Sequence, residues 1–170
     1  YPVYTRKETT DMAYLACVKF MLQEHIRGVI FPQFATHNAH TVAAIRVLAE
    51  DAAHSDYEFQ RLNGMGDALY EVVLSQFDVN VCVYAPVGSH KDLLAYLVRR
   101  LLENGANSSF VHRLIDDKCP VDSLTDHPVQ TLVGRETLRN AMIALPRDIF
   151  PRRANSKGVN MDVEHVFATF

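Results

Sequence analysis

One short stretch gathers the side chains best suited to holding a small anion. Along Tyr96-Leu97-Val98-Arg99-Arg100-Leu101-Leu102-Glu103, a helical advance of about 100° per residue puts Tyr96, Arg99, Arg100 and Glu103 on one narrow face. Leu94, Leu97, Val98, Leu101 and Leu102 take the opposite face. Two guanidiniums side by side can clamp a carboxylate through paired hydrogen bonds. Glu103, one turn away, can hold them in place. The same spacing equally suits a solvated face carrying an ordinary ion pair between neighbouring turns.

A second group is Thr36-His37-Asn38, which offers a hydroxyl, an imidazole and an amide together. These suit the phosphates, ribose or ring edges of a nucleotide cofactor. The alternative is a helix N-cap formed by Asn38 or Thr41. His37 and His40 make an HxxH pair with no third ligand nearby, so no metal site is expected. Gly64-Met65-Gly66 has the place of a phosphate loop, but Leu69 stands where a third glycine belongs, so a tight turn is expected. Asp116-Asp117 reads as a solvated loop pair. Spacing discloses no Cys/His or Ser/His/Asp constellation, and no side chain is assigned as a catalytic acid, base or nucleophile.

Alternating elements must position these groups. Helical spacing runs from Asp11 to Glu24 after a Thr9-Thr10-Asp11 cap signal, with Met12, Leu15, Ala16, Phe20 and Leu22 inward. Gly28 to Phe34, around Val29-Ile30-Phe31, reads as a buried strand. A helix is expected over His40–Ala53, a strand over Tyr57–Leu62 and a helix over Asp67–Gln76, with Leu69, Val72 and Val73 inward. A third strand is expected over Val79–Tyr84, then a helix over Leu93–Asn104 stopped by Gly105. Three strand–helix cycles with short connections predict parallel strands with crossover helices. In such folds ligands sit at the carboxyl ends of the strands. Beyond Ser109 the pattern breaks at Pro120, Pro128, Pro146 and Pro151; Phe110–Arg113 reads as a short extended piece, Gln130–Met142 as one more helix, and the chain from Pro146 as a linker.

The bulk numbers exclude several classes. The chain has 170 residues, 48% hydrophobic and 22% charged, with a formal net charge of -3, which is ordinary for a globular domain and unsuited to coating nucleic acid. No apolar run is long enough to span a bilayer, and the first ten residues do not read as a signal peptide. Cys17, Cys82 and Cys119 are odd in number and form no CxxC pair, which fits a reducing, cytoplasmic setting.

Several blocks, in order, resemble the proline dehydrogenase domain of the proline utilization A (PutA) family: Tyr1 to Lys7, Pro32 to Thr41, Glu58 to Gly66, Val83 to Gly88 and, most specifically, Tyr96 to Val111. The resemblance implies an α/β fold, the carboxyl-terminal portion of a distorted (βα)8 TIM-like barrel. It would hold three βα units plus a final helix, followed by an irregular linker. Residues 1–113 would belong to the barrel. Residues 114–170 would be a post-barrel segment leading toward an aldehyde dehydrogenase module outside this sequence. It further implies FAD as cofactor, oxidation of L-proline to Δ1-pyrroline-5-carboxylate, a quinone as electron acceptor, a homo-oligomer, and a cytoplasmic protein peripheral to the inner membrane. DNA binding would not lie in this segment. By the same resemblance Arg99 and Arg100 grip the substrate carboxylate, and Tyr84, Tyr96 and Leu62 wall its ring. Thr36, His37, Asn38, Glu103, Phe110 and Ser156 serve the FAD. A closed barrel takes about 250 residues, so an inactive half-barrel that binds no flavin by itself is the alternative.

Overall fold

The computed structural model describes residues 4–104, 110–156 and 158–168. Helix α1 (Lys7–Met21) leads into a short 3-10 turn. There follow β1 (Gln33–Ala35), α2 (Ala39–Asp51), β2 (Glu58–Leu62), α3 (Asp67–Gln76), β3 (Asn80–Tyr84) and α4 (His90–Asn104). Short helices α5 (Phe110–Ile115), α6 (Asp122–Thr125), α7 (Pro128–Val133) and α8 (Glu164–Phe167), with a second 3-10 turn at Pro146–Asp148, complete the described elements. The protein is thus an α/β fold on a parallel sheet of order β1-β2-β3. Phe34 pairs with Phe59, Phe59 with Val81, and Leu62 with Tyr84.

Packing follows from which residues each element buries. Val18 and Leu22 of the first helical segment, Phe34 of β1, Val42, Ile45 and Ala49 of α2, Phe59 of β2, and Tyr70 and Val73 of α3 form one core with Tyr57. An aromatic series runs through it. Phe34 and Tyr57 lie 5.7 Å apart between ring centroids, Tyr57 and Phe59 5.7 Å, and Phe59 and Tyr70 6.1 Å. Tilted and edge-on rings at such distances add attraction beyond area burial.

The chain divides into two compact units. Lys7–Arg135 holds the sheet and α1 to α7. The other unit joins Tyr1–Arg6 to Glu136–Phe170. Within it the Asn140 N–H donates to Thr5 Oγ1 at 2.8 Å and Arg6 Nη2 to the Arg139 carbonyl at 3.1 Å.

Several sequence expectations change. Val29-Ile30-Phe31 is not a strand: β1 begins later, at Gln33, and Val29 is 74% exposed. Gly28 with φ 78 turns the chain just before this run, and Pro32 follows it, so neighbour pairing cannot build through it. Helix α1 starts at Lys7, four residues before the expected start at Asp11, so Thr9-Thr10-Asp11 lies inside it and Asp11 pairs with Lys7. Val18 and Leu22, not Phe20, carry its burial. In α3, Tyr70 and Val73 face inward while Val72 is exposed. Phe110–Arg113 is helical, not extended. The helix expected over Gln130–Met142 is the shorter α7, which closes at Gly134. Gly105, expected to stop α4, lies outside the described residues.

Candidate functional site

The parallel register places the carboxyl ends of all three strands along one edge. Thr36-His37-Asn38 follows β1, Leu62 ends β2 and Tyr84 ends β3. The Asn63 N–H donates to the Tyr84 carbonyl at 2.9 Å and extends the β2–β3 ladder one step past Leu62.

Local hydrogen bonds shape the first loop. The Asn38 N–H donates to Thr36 Oγ1 at 3.1 Å, and Asn38 Oδ1 accepts from the His40 N–H at 3.0 Å, capping α2. The capping alternative is therefore realised, and it consumes only oxygen acceptors. Among the described residues nothing accepts the Thr36 hydroxyl hydrogen or the Asn38 amide hydrogens, which leaves them as donors. Tyr70 donates its hydroxyl to the Thr36 carbonyl at 2.7 Å from beneath. Burial pushes the Tyr70 phenol far above its usual range, so it stays protonated and donating.

His37 reaches across to β2, where its Nε2 accepts from the Leu62 N–H at 3.2 Å. Burial lowers its pKa. Glu103 opposes that shift, while Arg100 and Arg61 reinforce it. The imidazole is thus neutral near pH 7, and it feels charges on α4 and on β2.

Helix α4 brings the second group. The Tyr84 and Tyr96 ring centroids are 6.3 Å apart. The Arg100 guanidinium lies over the Tyr96 ring at 5.4 Å and donates to Glu103 Oε2 at 2.6 Å. Burial works against the charge on Arg100, but Tyr96 and Glu103 outweigh it and its pKa is raised. Among the described residues the buried Arg100 Nε has no hydrogen-bond partner, which leaves a fixed cationic donor still to be satisfied.

Arg99 lies differently. It is exposed and lines a shallow groove with Lys91, Leu94, Ala95, Val98 and Leu102. Phe110 and Asn38 both border a separate cavity of about 360 Å³ between α1, α2 and the short helices. Ser156 is exposed and belongs to the other unit. The structure therefore brings together Thr36, His37, Asn38, Leu62, Tyr84, Tyr96, Arg100 and Glu103, links Phe110 to Asn38 through one cavity, and leaves Arg99 facing its own groove. Among the described residues no three His, Cys, Asp or Glu side chains could share a metal ion.

The proline dehydrogenase family matches residues 1–113. The chain belongs to the proline dehydrogenase family. It is 48% identical to the bifunctional protein PutA of Klebsiella aerogenes, over 99% of this chain and 14% of that protein. The bifunctional protein PutA of Escherichia coli (strain K12) matches to the same extent. A crystal structure of proline utilization A from Bradyrhizobium japonicum superposes with a TM-score of 0.85 at 50% identity, covering 99% of this chain and 17% of that one. The chain spans about a seventh of the length of these curated relatives.

Two residues of this proline dehydrogenase family member escaped sequence reasoning. Arg61 donates to the Met65 carbonyl at 3.1 Å and pairs with Asp67, bracing the turn beside His37. Tyr70 supports the Thr36 loop from the core. A signal for Arg61 existed: a cation six residues before an acidic helix start can close the intervening turn. Tyr70 is not among the α3 residues that the sequence pattern turns inward, and its hydroxyl partner is 34 positions away.

Proposed function

We propose that this chain is the carboxyl-terminal part of an FAD-dependent proline dehydrogenase barrel, residues 1–113, followed by a post-barrel segment over 114–170. The whole protein oxidises L-proline to Δ1-pyrroline-5-carboxylate. The observation that carries the reading is the Tyr84–Tyr96–Arg100–Glu103 cluster at the strand ends, in a chain whose relatives are bifunctional PutA proteins.

The donor set fits FAD. The spare hydrogens of Thr36 and Asn38 and the neutral imidazole of His37 stand at the N-terminus of α2, where backbone N–H groups favour phosphate and carbonyl oxygens. Glu103 and, across the shared cavity, Phe110 complete that side. Bound FAD supplies the hydride acceptor. The protein's own residues supply orientation. Arg100, kept charged by its neighbours, takes the proline carboxylate together with Arg99. Tyr84, Tyr96 and Leu62 exclude water from a small apolar ring.

In this reading the full-length protein is a cytoplasmic homo-oligomer that meets the inner membrane peripherally and gives electrons to a quinone. An aldehyde dehydrogenase module follows in the same chain. Among the described residues no helix is long and apolar enough to cross a membrane. The test is the absorption spectrum of the full-length protein with L-proline. A protein-bound flavin band that bleaches with proline supports the reading, and a colourless protein or an unreactive flavin refutes it.

A second reading, a half-barrel that binds no flavin by itself, is favoured by one observation. The leucine face of α4 is open, with Leu101 77% and Leu102 71% exposed. Titrating the 170-residue chain with FAD separates the two, because unbound flavin would assign cofactor retention to the rest of the barrel.

A further inference from the structure

Gly66 stands against His37. It adopts the left-handed conformation, φ 71, and a Cβ built on it would lie 2.9 Å from His37 Cδ2 and 3.4 Å from Tyr70 Cδ2. A tight turn alone would not require this. Gly64, two residues earlier, has nearly the same backbone, φ 77, yet a Cβ there would meet nothing within 4 Å. The two glycines share one conformational demand, but only Gly66 also makes room for a ring.

That ring is held at one nitrogen. His37 Nε2 accepts from the Leu62 N–H, so Nε2 carries no proton and the neutral imidazole must carry it on Nδ1. Among the described residues Nδ1 has no hydrogen-bond partner. We infer that Gly66 is a positioning residue: its missing side chain lets His37 lie close enough to β2 for the Leu62 N–H to fix its tautomer, which presents Nδ1–H as an outward hydrogen-bond donor at the strand ends. The ligand group it takes is an acceptor such as a phosphate or carbonyl oxygen. This last clause rests on the flavin reading above, whereas the Gly66–His37 contact does not.

Two measurements on the full-length protein separate these parts. The first is a double-mutant cycle on stability. Gly66→Ala and Gly64→Ala suffer the same backbone strain, but only Gly66→Ala should couple to His37→Ala, its destabilisation shrinking once the ring is gone. Equal, uncoupled penalties at both glycines would overturn the positioning role. The second is FAD affinity by flavin fluorescence quenching. His37→Asn keeps a donor near the Nδ1 position and should bind FAD close to the wild-type level. His37→Gln keeps only the Leu62 contact and should bind about tenfold more weakly, the worth of one hydrogen bond. The opposite order would overturn the tautomer assignment. Wild-type affinity in both variants would remove the flavin as the acceptor while leaving the Gly66 result intact.

Discussion

The two histidines near the first loop tie the site to pH. Burial lowers the pKa of both His37 and His40. At His40 the neighbouring His127, 5.9 Å away between ring centroids, adds to the fall, and Asp11 opposes it. An unfolded histidine titrates near pH 6.5, so below that pH the unfolded chain binds more protons than the folded one. Stability is therefore full above about pH 6.5 and is lost as pH falls toward the depressed folded values. Urea midpoints should drop between about pH 7.5 and 5.5, and His40→Gln should flatten the slope. Equal slopes in wild type and variant would contradict this. Arg100 makes a different prediction. Lysine keeps the charge but loses the planar fork, so Arg100→Lys should raise the proline KM of the full-length protein by roughly 10- to 100-fold, the range for charge-assisted hydrogen bonds. An unchanged KM would remove Arg100 from the carboxylate site. The Arg100–Glu103 pair and the Tyr96 stack were legible in sequence because a helix brings neighbours three and four apart onto one face. Arg99 was harder to place. Its backbone position borders the same face, but its side chain follows the groove of Leu94, Val98 and Leu102, a choice that residue spacing does not encode.

At the scale of elements, legibility followed the source of each element's order. Helix α3 was placed to the residue, because Gly66 opens it and Phe77 leaves the helical conformation. Its inward face was less clear. A rule that prizes aliphatic residues favours Val72, whereas the sheet below has space for the larger Tyr70, which is almost fully buried. Strand β1 is displaced from the sequence expectation because Val29-Ile30-Phe31 is apolar but makes only an isolated bridge, from Ile30 to Arg27, and the ladder depends on the distant strand β2. The short helices after α4 were misread because prolines mark their starts as readily as their ends: Pro128 opens α7, with His127 Nδ1 accepting from the Val129 N–H as its cap. Tyr70 joins element to site, so removing its hydroxyl tests that link. Tyr70→Phe leaves the Thr36 carbonyl without its 2.7 Å donor while keeping the ring in the core. It should cost about 1–2 kcal/mol in urea unfolding, and the apparent FAD Kd should rise along with the lost stability. A variant as stable as wild type would show that the carbonyl finds water instead.

The whole molecule is dominated by what its sheet leaves open. Strands β1 and β3 are the two margins of a three-stranded parallel sheet, and parallel sheets normally have both faces and both edges covered. β3 is mostly exposed, with Val83 and Tyr84 among its uncovered side chains, and α4 turns Leu94, Leu97, Val98, Leu101 and Leu102 to solvent. Five apolar side chains on one helix, beside an unpaired strand margin, make a contiguous patch of the kind that drives association. The net charge of -3 opposes this only weakly. The 170-residue chain by itself should therefore self-associate at micromolar concentration, and light scattering coupled to size exclusion would read the mass. Leu101→Lys together with Leu97→Lys places two charges in the centre of the patch, away from the core formed by Val18, Phe34, Phe59 and Tyr70. The double variant should shift the population toward monomer with little change in far-UV circular dichroism. In the full-length protein the same two substitutions should have the opposite consequence, lowering stability and flavin retention, because there the leucines would be buried by the rest of the barrel. A monomeric wild-type chain together with a full-length variant that melts and holds flavin like its parent would mean that the leucine face of α4 is a solvent face in both settings.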